Sequence, residues 1–186
     1  DIARELILEE AKKNWYKNIL VFEDDVKFYW KNEQSLQLIM PFLKEEKWDI
    51  LYLGWYICFW ACPAMIDKWN FYQCTWILGT FAIWYSSRIF EKLLEQIPNS
   101  YKESEKFIKK HTAFDLFLWR YIQNQWRAFF LKKVFCGHMP GISDILKKEY
   151  NSERRTYNIF NKIQRIPNFI HRILFLINKI IAYAKK

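Results

Sequence analysis

The feature that most constrains the fold is the stretch ILVFEDDV at residues 19–26. Apolar, partly β-branched residues run without interruption into three carboxylates. That is the pattern of a buried strand of a parallel sheet that ends at a polar crevice. In open α/β sheets, ligands bind outside the carboxyl ends of the strands. The stretch therefore predicts an α/β fold with a ligand site at this end of the strand.

The three acids predict a cation site only if the strand continues through them. In that case Glu23 and Asp25 project to one side and Asp24 to the other. Two carboxylates on one side repel each other unless a proton or a cation lies between them. Mg²⁺ or Mn²⁺ suits such oxygen ligands. On these residues alone, a solvated turn is an equally good interpretation.

The composition is that of one domain with a substantial core, because the chain has 186 residues of which 52% are hydrophobic. Only four glycines and five prolines occur, which favours helices and long connections over a many-stranded β-sandwich. Aromatic residues make up 20% of the chain. They suit a packed core, and they also suit a site that stacks planar or sugar rings.

Charge and cysteine content restrict partners and location. The formal net charge of +9 predicts anionic partners such as nucleotides, phosphorylated lipids, membrane surfaces or nucleic acid. Nucleic acid is the least favoured, because no recognised binding motif is present. The four cysteines lack paired C-x-x-C spacing, which argues against structural zinc and predicts free thiols in a reducing compartment. A disulfide between Cys58 and Cys62 is the alternative. No apolar run reaches the about 20 residues that a bilayer span needs.

Hydrophobic periodicity predicts alternating helices and strands. The predicted helices cover residues 2–15, 35–43, a segment between Ser87 and Pro98, and 113–125; the strands cover 19–26, 48–54, 74–85 and 127–135; residues 55–73 form a surface loop and 99–110 a polar connector. Ile2, Leu6 and Ile7 have the apolar spacing of the first helix. Thr112 is the predicted N-cap of the helix at 113–125, which places Asp115 in its first turn.

The last forty residues have a different pattern from the rest. From residue 159 onward, apolar residues recur at three- and four-residue intervals among lysines and arginines. This predicts a basic amphipathic helix, broken or kinked near Pro167. The helix either packs on its own domain or contacts an anionic membrane surface. We therefore divide the chain into a domain at residues 1–146 and a basic helical tail at residues 147–186.

Several motifs follow one another in a recognisable order. They are ILVFEDDV at 19–26, WDILYLG at 48–54, GTFA at 79–82 ahead of KLL at 92–94, TAFD at 112–115 and PGISDI at 140–145. In this order they resemble the family 25 glycosyltransferases, which include bacterial lipooligosaccharide galactosyltransferases and the collagen galactosyltransferases. The resemblance implies a GT-A-like fold, that is, a Rossmann-like mixed sheet flanked by helices. It also implies inverting transfer of a hexose, commonly galactose from UDP-galactose, with Mn²⁺ or Mg²⁺ as cofactor.

The resemblance implies roles for the acids at the strand end. Glu23 and Asp25 match the metal-binding acids of the family, and Asp24 lies nearer the donor ribose or sugar. His138, in a glycine-flanked loop, is a candidate further ligand to the metal or the diphosphate. A surface loop histidine is the alternative interpretation for His138.

The transfer also needs a base for the proton of the acceptor hydroxyl. Asp115 matches the second acidic position of the family and is the candidate catalytic residue. Its alternative role is that of a helix N-terminal charge. Gly79 and Thr80 are candidate donor-binding residues, because glycine lets the backbone approach the sugar or the acceptor.

Part of the family pattern is missing from this sequence. Family members begin with a strand and a basic turn that help to bind uridine, and a Ser-His pair follows before the first helix. We therefore expect the chain to match the C-terminal part of the domain, with a sheet that lacks its first strand. The expected acceptor is a glycan or glycolipid such as lipooligosaccharide, and the expected location is cytoplasmic, with peripheral contact at the inner face of a membrane.

Two other functions fit parts of the pattern. A non-catalytic glycosyltransferase remnant or binding module would keep the sheet but bind no nucleotide. A phosphoacceptor receiver domain also begins with a strand that ends in paired acids. Receivers need a further aspartate at the end of a later strand, where this chain has Gly54. The receiver hypothesis is therefore disfavoured.

Overall fold

The structure, a computed structural model, describes residues 2–29, 32–57, 64–66, 71–73, 77–131, 135–139, 141–143 and 148–150, together with the helical residues 173, 176, 177 and 180. The strands are β1 (Asn18–Phe22), β2 (Val26–Phe28), β3 (Ile50–Tyr52), β4 (Tyr56–Ile57), β5 (Ala64–Ile66), β6 (Phe71–Gln73), β7 (Ile77–Leu78), β8 (Ala82–Ser86), β9 (Ala128–Leu131), β10 (Cys136–His138), β11 (Gly141–Ser143) and β12 (Lys148–Tyr150). The helices are α1 (Ile2–Lys13), α2 (Asn32–Lys44), α3 (Phe90–Leu94), α4 (Tyr101–His111) and α5 (Phe114–Phe117). A 3-10 turn at Ser87–Ile89 precedes α3, and a π-helical turn at Leu118–Gln123 follows α5.

Six strands form one mixed sheet in the order β1-β8-β3-β9-β6-β5. Strand β8 is antiparallel to both β1 and β3, and β3 is parallel to β9. Strands β1, β3 and β9 therefore point the same way, and their carboxyl ends lie together where β8 begins. The candidate site lies at these carboxyl ends.

Helices cover both faces of the sheet, as the sequence predicts for a mixed α/β fold. Alternate residues of β3 face opposite sides: Ile50 and Tyr52 belong to one buried cluster, and Leu51 and Leu53 to the other. The first cluster includes residues of α1, α3, α4 and α5, and the second includes residues of α2. This arrangement confirms the prediction of a mixed sheet flanked by helices.

Strand β1 differs from its prediction in two ways. It pairs antiparallel with β8 alone and lies at the edge of the sheet formed by the described strands, rather than inside a parallel sheet. It also ends at Phe22, and the acids that follow form a turn, which Val26 N–H closes onto Glu23 O at 3.4 Å. The condition for Glu23 and Asp25 to project to one side is therefore not met, and of the two interpretations of the acids the structure has the turn.

Helix α1 is confirmed, but its buried face is not the predicted one. Leu8 and Ala11 are buried in the core, while Leu6 is 58% and Ile7 43% exposed. Helix α1 packs against α3, and the small Ala11 side chain allows close approach. The apolar spacing predicts that the larger Leu6 and Ile7 are buried, but the buried face of α1 is the one that carries Leu8 and Ala11.

Two segments predicted as irregular are regular. The predicted connector at 99–110 is mostly helix α4, which begins after Ser100; the side chain of Ser100 accepts a hydrogen bond from Glu103 N–H at 3.4 Å. The predicted surface loop at 55–73 contains β4, β5 and β6, and the last two extend the main sheet. Buried Phe71 and Tyr72 explain why β6 belongs to the core.

The helix predicted at 113–125 is present as α5 and the π-helical turn that follows it. Its predicted N-cap is wrong: Thr112 is the C-cap of α4, with a φ of 72°, and Ala113 is the N-cap of α5. The predicted strands at 74–85 and 127–135 are present as shorter strands, with β7 and β8 on either side of Gly79 and Thr80. Of the tail, the structure describes β12, which pairs with β11, and four helical residues. The domain boundary at residue 146 stays a prediction.

Candidate functional site

Residues from distant parts of the chain meet at the carboxyl edge of β1. Glu23 directly follows β1, and Gly54 lies two residues beyond β3. Gly79 and Thr80 lie between β7 and β8. Glu23 N–H donates to Phe81 O at 3.0 Å. This bond holds the turn at Glu23, Asp24 and Asp25, which we call the acid turn, against the start of β8.

Glu23 is held by a cation and a hydroxyl. Arg4 Nη2 donates to Glu23 Oε1 in an ion pair, and it also donates to Thr80 Oγ1 at 3.1 Å. Thr80 Oγ1 in turn donates to Glu23 Oε1 at 2.5 Å. The Arg4 and Glu23 side chains are only 19% and 27% exposed. The carboxylate is therefore fixed and partly neutralised by neighbours within the chain.

Asp115 holds the backbone beside Thr80. Its Oδ2 accepts a hydrogen bond from Gly79 N–H at 3.2 Å, and its Oδ1 accepts one from Leu116 N–H at 2.7 Å. Gly79 has a φ of +89°, and a Cβ there would lie 2.7 Å from a ring carbon of Phe81. Glycine is required here because a side chain would be both strained and crowded.

Arg4 contacts both the Glu23–Thr80 pair and the segment that carries Asp115. Its guanidinium lies over the ring of Phe114 at 4.8 Å from the centroid, and Phe114 immediately precedes Asp115. A cation over an aromatic face is attracted by the ring quadrupole. We call Arg4, Glu23, Gly79, Thr80 and Asp115 the Arg4 network. It brings together four of the seven residues that the sequence predicts for the site.

The other three predicted residues lie outside the Arg4 network. Asp24 and Asp25 form the turn between β1 and β2. Asp25 O accepts a hydrogen bond from Met139 N–H at 2.8 Å. His138 pairs with Val26 between β10 and β2, so the loop predicted at His138 is wrong and the residue ends a strand. The backbone at His138 is therefore close to Asp25, while the His138 side chain lies outside the described residues.

A divalent cation fits only part of the predicted ligand set. In the described part of the chain, no three His, Cys, Asp or Glu residues are grouped so that they could hold a metal ion. Glu23 directs Oε1 at Arg4 and Thr80. Asp24, Asp25 and His138 carry oxygen and imidazole donors of the kind that Mn²⁺ or Mg²⁺ accepts, but the His138 side chain lies outside the described residues.

Exposed aromatic rings flank the acid turn. Phe22 and Phe28 are both more than 40% exposed and contact each other edge to face at 5.3 Å. The Tyr29 ring, with Lys27 Nζ 5.7 Å from its centroid, follows directly. Buried Cys136 is nearby in β10, but burial raises the pKa of its thiol to about 12, so it stays protonated at neutral pH. The rings, rather than the thiol, are available to a ligand.

The sequence did not identify Arg4. The signal was present, because Arg4, Leu8 and Ala11 follow i, i+4, i+7 spacing, so that α1 presents a cation on its buried face. A lysine or arginine on such a face needs a partner. The three consecutive acids at residues 23–25 are candidates for that partner.

Comparison with known proteins gives no match to a family model and none to a curated protein. Within the described ranges, no helix combines the length and apolar character needed to cross a membrane.

Proposed function

We propose that the chain is a GT-A-like glycosyltransferase domain of the family 25 type. In this proposal it transfers a hexose, galactose from UDP-galactose, to a glycan or glycolipid acceptor such as lipooligosaccharide. One observation carries the proposal: Glu23, Gly79, Thr80 and Asp115 come from separate motifs and meet in the Arg4 network. The network lies at the carboxyl edge of the parallel strands, where α/β folds bind their ligands.

The proposed reaction is a single displacement at the anomeric carbon of the sugar. The acceptor oxygen forms a bond to that carbon as the bond to the β-phosphate oxygen breaks, and UDP leaves with the electron pair. The hydroxyl proton passes to Asp115, whose two oxygens each accept a single backbone hydrogen bond and keep a further lone pair. Attack from the face opposite UDP inverts the configuration.

The remaining residues bind and orient the donor. Gly79 and Thr80 bring the backbone close to the sugar, and Asp24 lies on the ribose side. Asp24, Asp25 and His138 would hold Mn²⁺ or Mg²⁺. Such an ion supplies positive charge to a departing diphosphate. The Arg4 network keeps Glu23 and Thr80 in place while the donor is bound.

The aromatic rings beside the acids support a planar or sugar ligand. Phe22 and Phe28 are exposed next to the acid turn. Aromatic faces stack on bases and contribute about 1–3 kcal/mol for each base stacked. The uracil ring of the donor is the ligand group that these side chains suit.

Nucleotide binding and turnover test the proposal separately. UDP is titrated into the full chain by calorimetry with Mn²⁺ present, and transfer from UDP-galactose to a lipooligosaccharide acceptor is then measured. Asp115→Asn should keep UDP binding but lose transfer by about 10²–10⁴-fold, the usual contribution of a general base. Glu91→Gln, which removes a carboxylate from the exposed pair with Lys12, is the matched control. No metal-dependent heat with UDP would count against the proposal.

A non-catalytic binding module is the second candidate. Asp115 accepts hydrogen bonds from Gly79 N–H and Leu116 N–H, which is what a purely structural aspartate would do. On this alternative, UDP gives no metal-dependent heat with wild type or Asp115→Asn, and neither protein transfers galactose.

We also propose that the tail attaches the domain to the inner face of an anionic membrane. Ile173, Leu176, Ile177 and Ile180 are helical, follow i, i+3, i+4, i+7 spacing and are between 44% and 67% exposed. Lysines and arginines are interspersed with them along the sequence. An apolar helix face with basic flanks suits the boundary between anionic headgroups and acyl chains.

A further inference from the structure

Gln123 is a polar side chain at the end of the π-helical turn, and it is only 1% exposed. Burying an amide is costly unless its donors and its acceptor find partners. We propose that Gln123 is a positioning residue, which fixes the segment that carries Asp115 against Gly79. The inference rests on the proposed function for the chemistry of Asp115, and its main test uses neither nucleotide nor sugar.

The Gln123 side chain bonds to the backbone of β7 as a neighbouring strand would. Its Oε1 accepts from Ile77 N–H at 3.0 Å, and its Nε2 donates to Ile77 O at 2.6 Å. Nε2 also donates to Tyr52 Oη at 2.8 Å. Only this orientation of the amide satisfies both backbone groups of Ile77, because the opposite orientation would face donor with donor and acceptor with acceptor. Gln123 thus joins β7 to the buried strand β3.

Asp115 binds the same short segment two residues further on. Its Oδ2 accepts from Gly79 N–H at 3.2 Å. Residues 77–79 are therefore attached to both ends of the helical segment 114–123. Two separate attachments restrict the rotation of one segment against the other, whereas the Asp115 bond alone would act as a pivot. The place of Asp115 beside Gly79 thus depends on Gln123.

The π-helical turn explains why Gln123 faces the core. Phe114 and Gln123 are nine positions apart, which is about two and a half turns of a regular α-helix, so a regular helix would place them on opposite faces. Both are buried. The wider turn at Leu118–Gln123 moves its last residues toward the face of Phe114, and π turns occur frequently at functional sites.

The test is hydrogen exchange of the Gly79 amide, measured by NMR on the full chain. Gln123→Met keeps the length of the side chain and removes its hydrogen bonds to Ile77. Relative to the amides of β8, which lies between β1 and β3, the Gly79 amide should then exchange at least about tenfold faster, the equivalent of one hydrogen bond. A purely structural glutamine would instead raise all these rates together, through a loss of global stability.

Two control variants separate this effect from the substitution itself and from general destabilisation. Gln125→Met is the matched control, because Gln125 is exposed and donates only on the surface, to Tyr121 O; it should leave the Gly79 rate within about twofold of wild type. Tyr52→Phe removes one partner of Gln123 and keeps both bonds to Ile77. It should lower stability without raising the Gly79 rate relative to the β8 amides.

Gln123→Glu decides the question if Gln123→Met does not fold. A protonated carboxyl can still donate to Ile77 O and accept from Ile77 N–H, while the ionised form repels Ile77 O. A buried carboxyl keeps its proton to higher pH than an exposed one. The Gly79 rate of Gln123→Glu, relative to wild type at the same pH, should therefore rise between about pH 5 and 9. A ratio that does not change with pH would contradict the assignment.

Transfer of galactose supplies a second measurement. Because a misplacement of about 1 Å can cost about 10²-fold, Gln123→Met should lower kcat at least about tenfold and change the KM for UDP-galactose by less than about threefold. Equal relative Gly79 exchange in Gln123→Met and Gln125→Met would overturn the assignment, as would faster exchange with unchanged kcat. If wild type transfers no galactose, the proposed function fails, and the exchange comparison still decides whether Gln123 positions Asp115.

Discussion

Asp49 accepts three hydrogen bonds from Arg127: from the backbone N–H at 2.9 Å, from Nε at 3.1 Å and from Nη2 at 3.0 Å. Arg88 Nε adds a fourth at 2.9 Å. Asp49 belongs to the WDILYLG motif, but it lies before β3, at the opposite edge of the sheet from the Arg4 network. Its role is therefore to join β3, the start of β9 and the turn before α3.

The first prediction concerns stability. Asp49→Asn keeps the size of the side chain but removes the charge that both arginines approach. Hydrogen bonds to charged groups contribute about 1.5–3 kcal/mol each, but Arg88 and Arg127 are partly exposed and regain water. We expect the free energy of unfolding to fall by about 2 kcal/mol, measured by urea denaturation. A loss below about 0.5 kcal/mol would show that the pairing is not structural.

The second prediction concerns pH. Burial alone would raise the pKa of Asp49, but the hydrogen bonds and charges of Arg127 and Arg88 outweigh it and lower the pKa. A carboxyl whose pKa is lower in the folded state contributes stability above its unfolded pKa of about 3.9, and loses it as the pH falls through the folded value. The stability difference between wild type and Asp49→Asn should therefore be constant from about pH 5 to 8 and shrink below about pH 4. A difference that grows on acidification would contradict this assignment.

The third prediction tests Gly79. Gly79→Ala places a Cβ at a φ of +89° and against the Phe81 ring. We expect a loss of about 1–3 kcal/mol in the free energy of unfolding, because the conformation is sparsely populated for other residues. UDP binding should weaken as well, since the Gly79 N–H bond to Asp115 is displaced. Ala82→Gly, next to the same turn but inside β8, is the comparison: it affects stability while leaving UDP affinity unchanged.

The fourth prediction tests the core on the α2 side of the sheet. Phe42 stacks on Phe71 with ring centroids 4.0 Å apart and meets Phe129 edge to face at 5.1 Å. Phe42→Ala should cost about 3–5 kcal/mol, as expected for a buried aromatic residue. Tyr101→Ala, at a site 75% exposed, should change stability by less than about 0.5 kcal/mol. Equal losses in the two variants would place Phe42 outside the core.

The fifth prediction concerns the tail. Replacing Ile173, Leu176, Ile177 and Ile180 with serine removes the exposed apolar face and keeps every basic residue. Binding to phosphatidylserine vesicles should fall by at least about tenfold in a flotation assay, because hydrophobic insertion contributes beside charge. Transfer to a soluble acceptor should be unchanged. Vesicle binding equal to wild type would rule out this face as the contact.

The sequence predicts the features of the fold that depend on local residue pattern. The predicted strand at 74–85 corresponds to β7 and β8, on either side of Gly79 and Thr80. That Glu23 and Asp115 belong to one site is implied only by the family resemblance, because no local pattern relates residues so far apart. The position of β1 in the sheet is not predicted either, because the number of strands beside it depends on pairings far along the chain. Helix α4 was missed since most of its residues are charged and only Phe107 and His111 are buried, although Ser100 and Glu103 have capping-box spacing. Arg4 was missed because periodicity favoured the larger Leu6 and Ile7.

The Arg4 network also has a consequence for how the protein folds. Arg4 lies near the start of the described chain, while Phe114 and Asp115 lie more than a hundred positions later. During translation, the acids at residues 23–25 are synthesised long before Phe114 and Asp115, which complete the network. Contacts of such long sequence separation form late, after loop closure between distant segments. We therefore expect the network to be complete only once the chain through Asp115 has folded, so that a shorter chain lacks it.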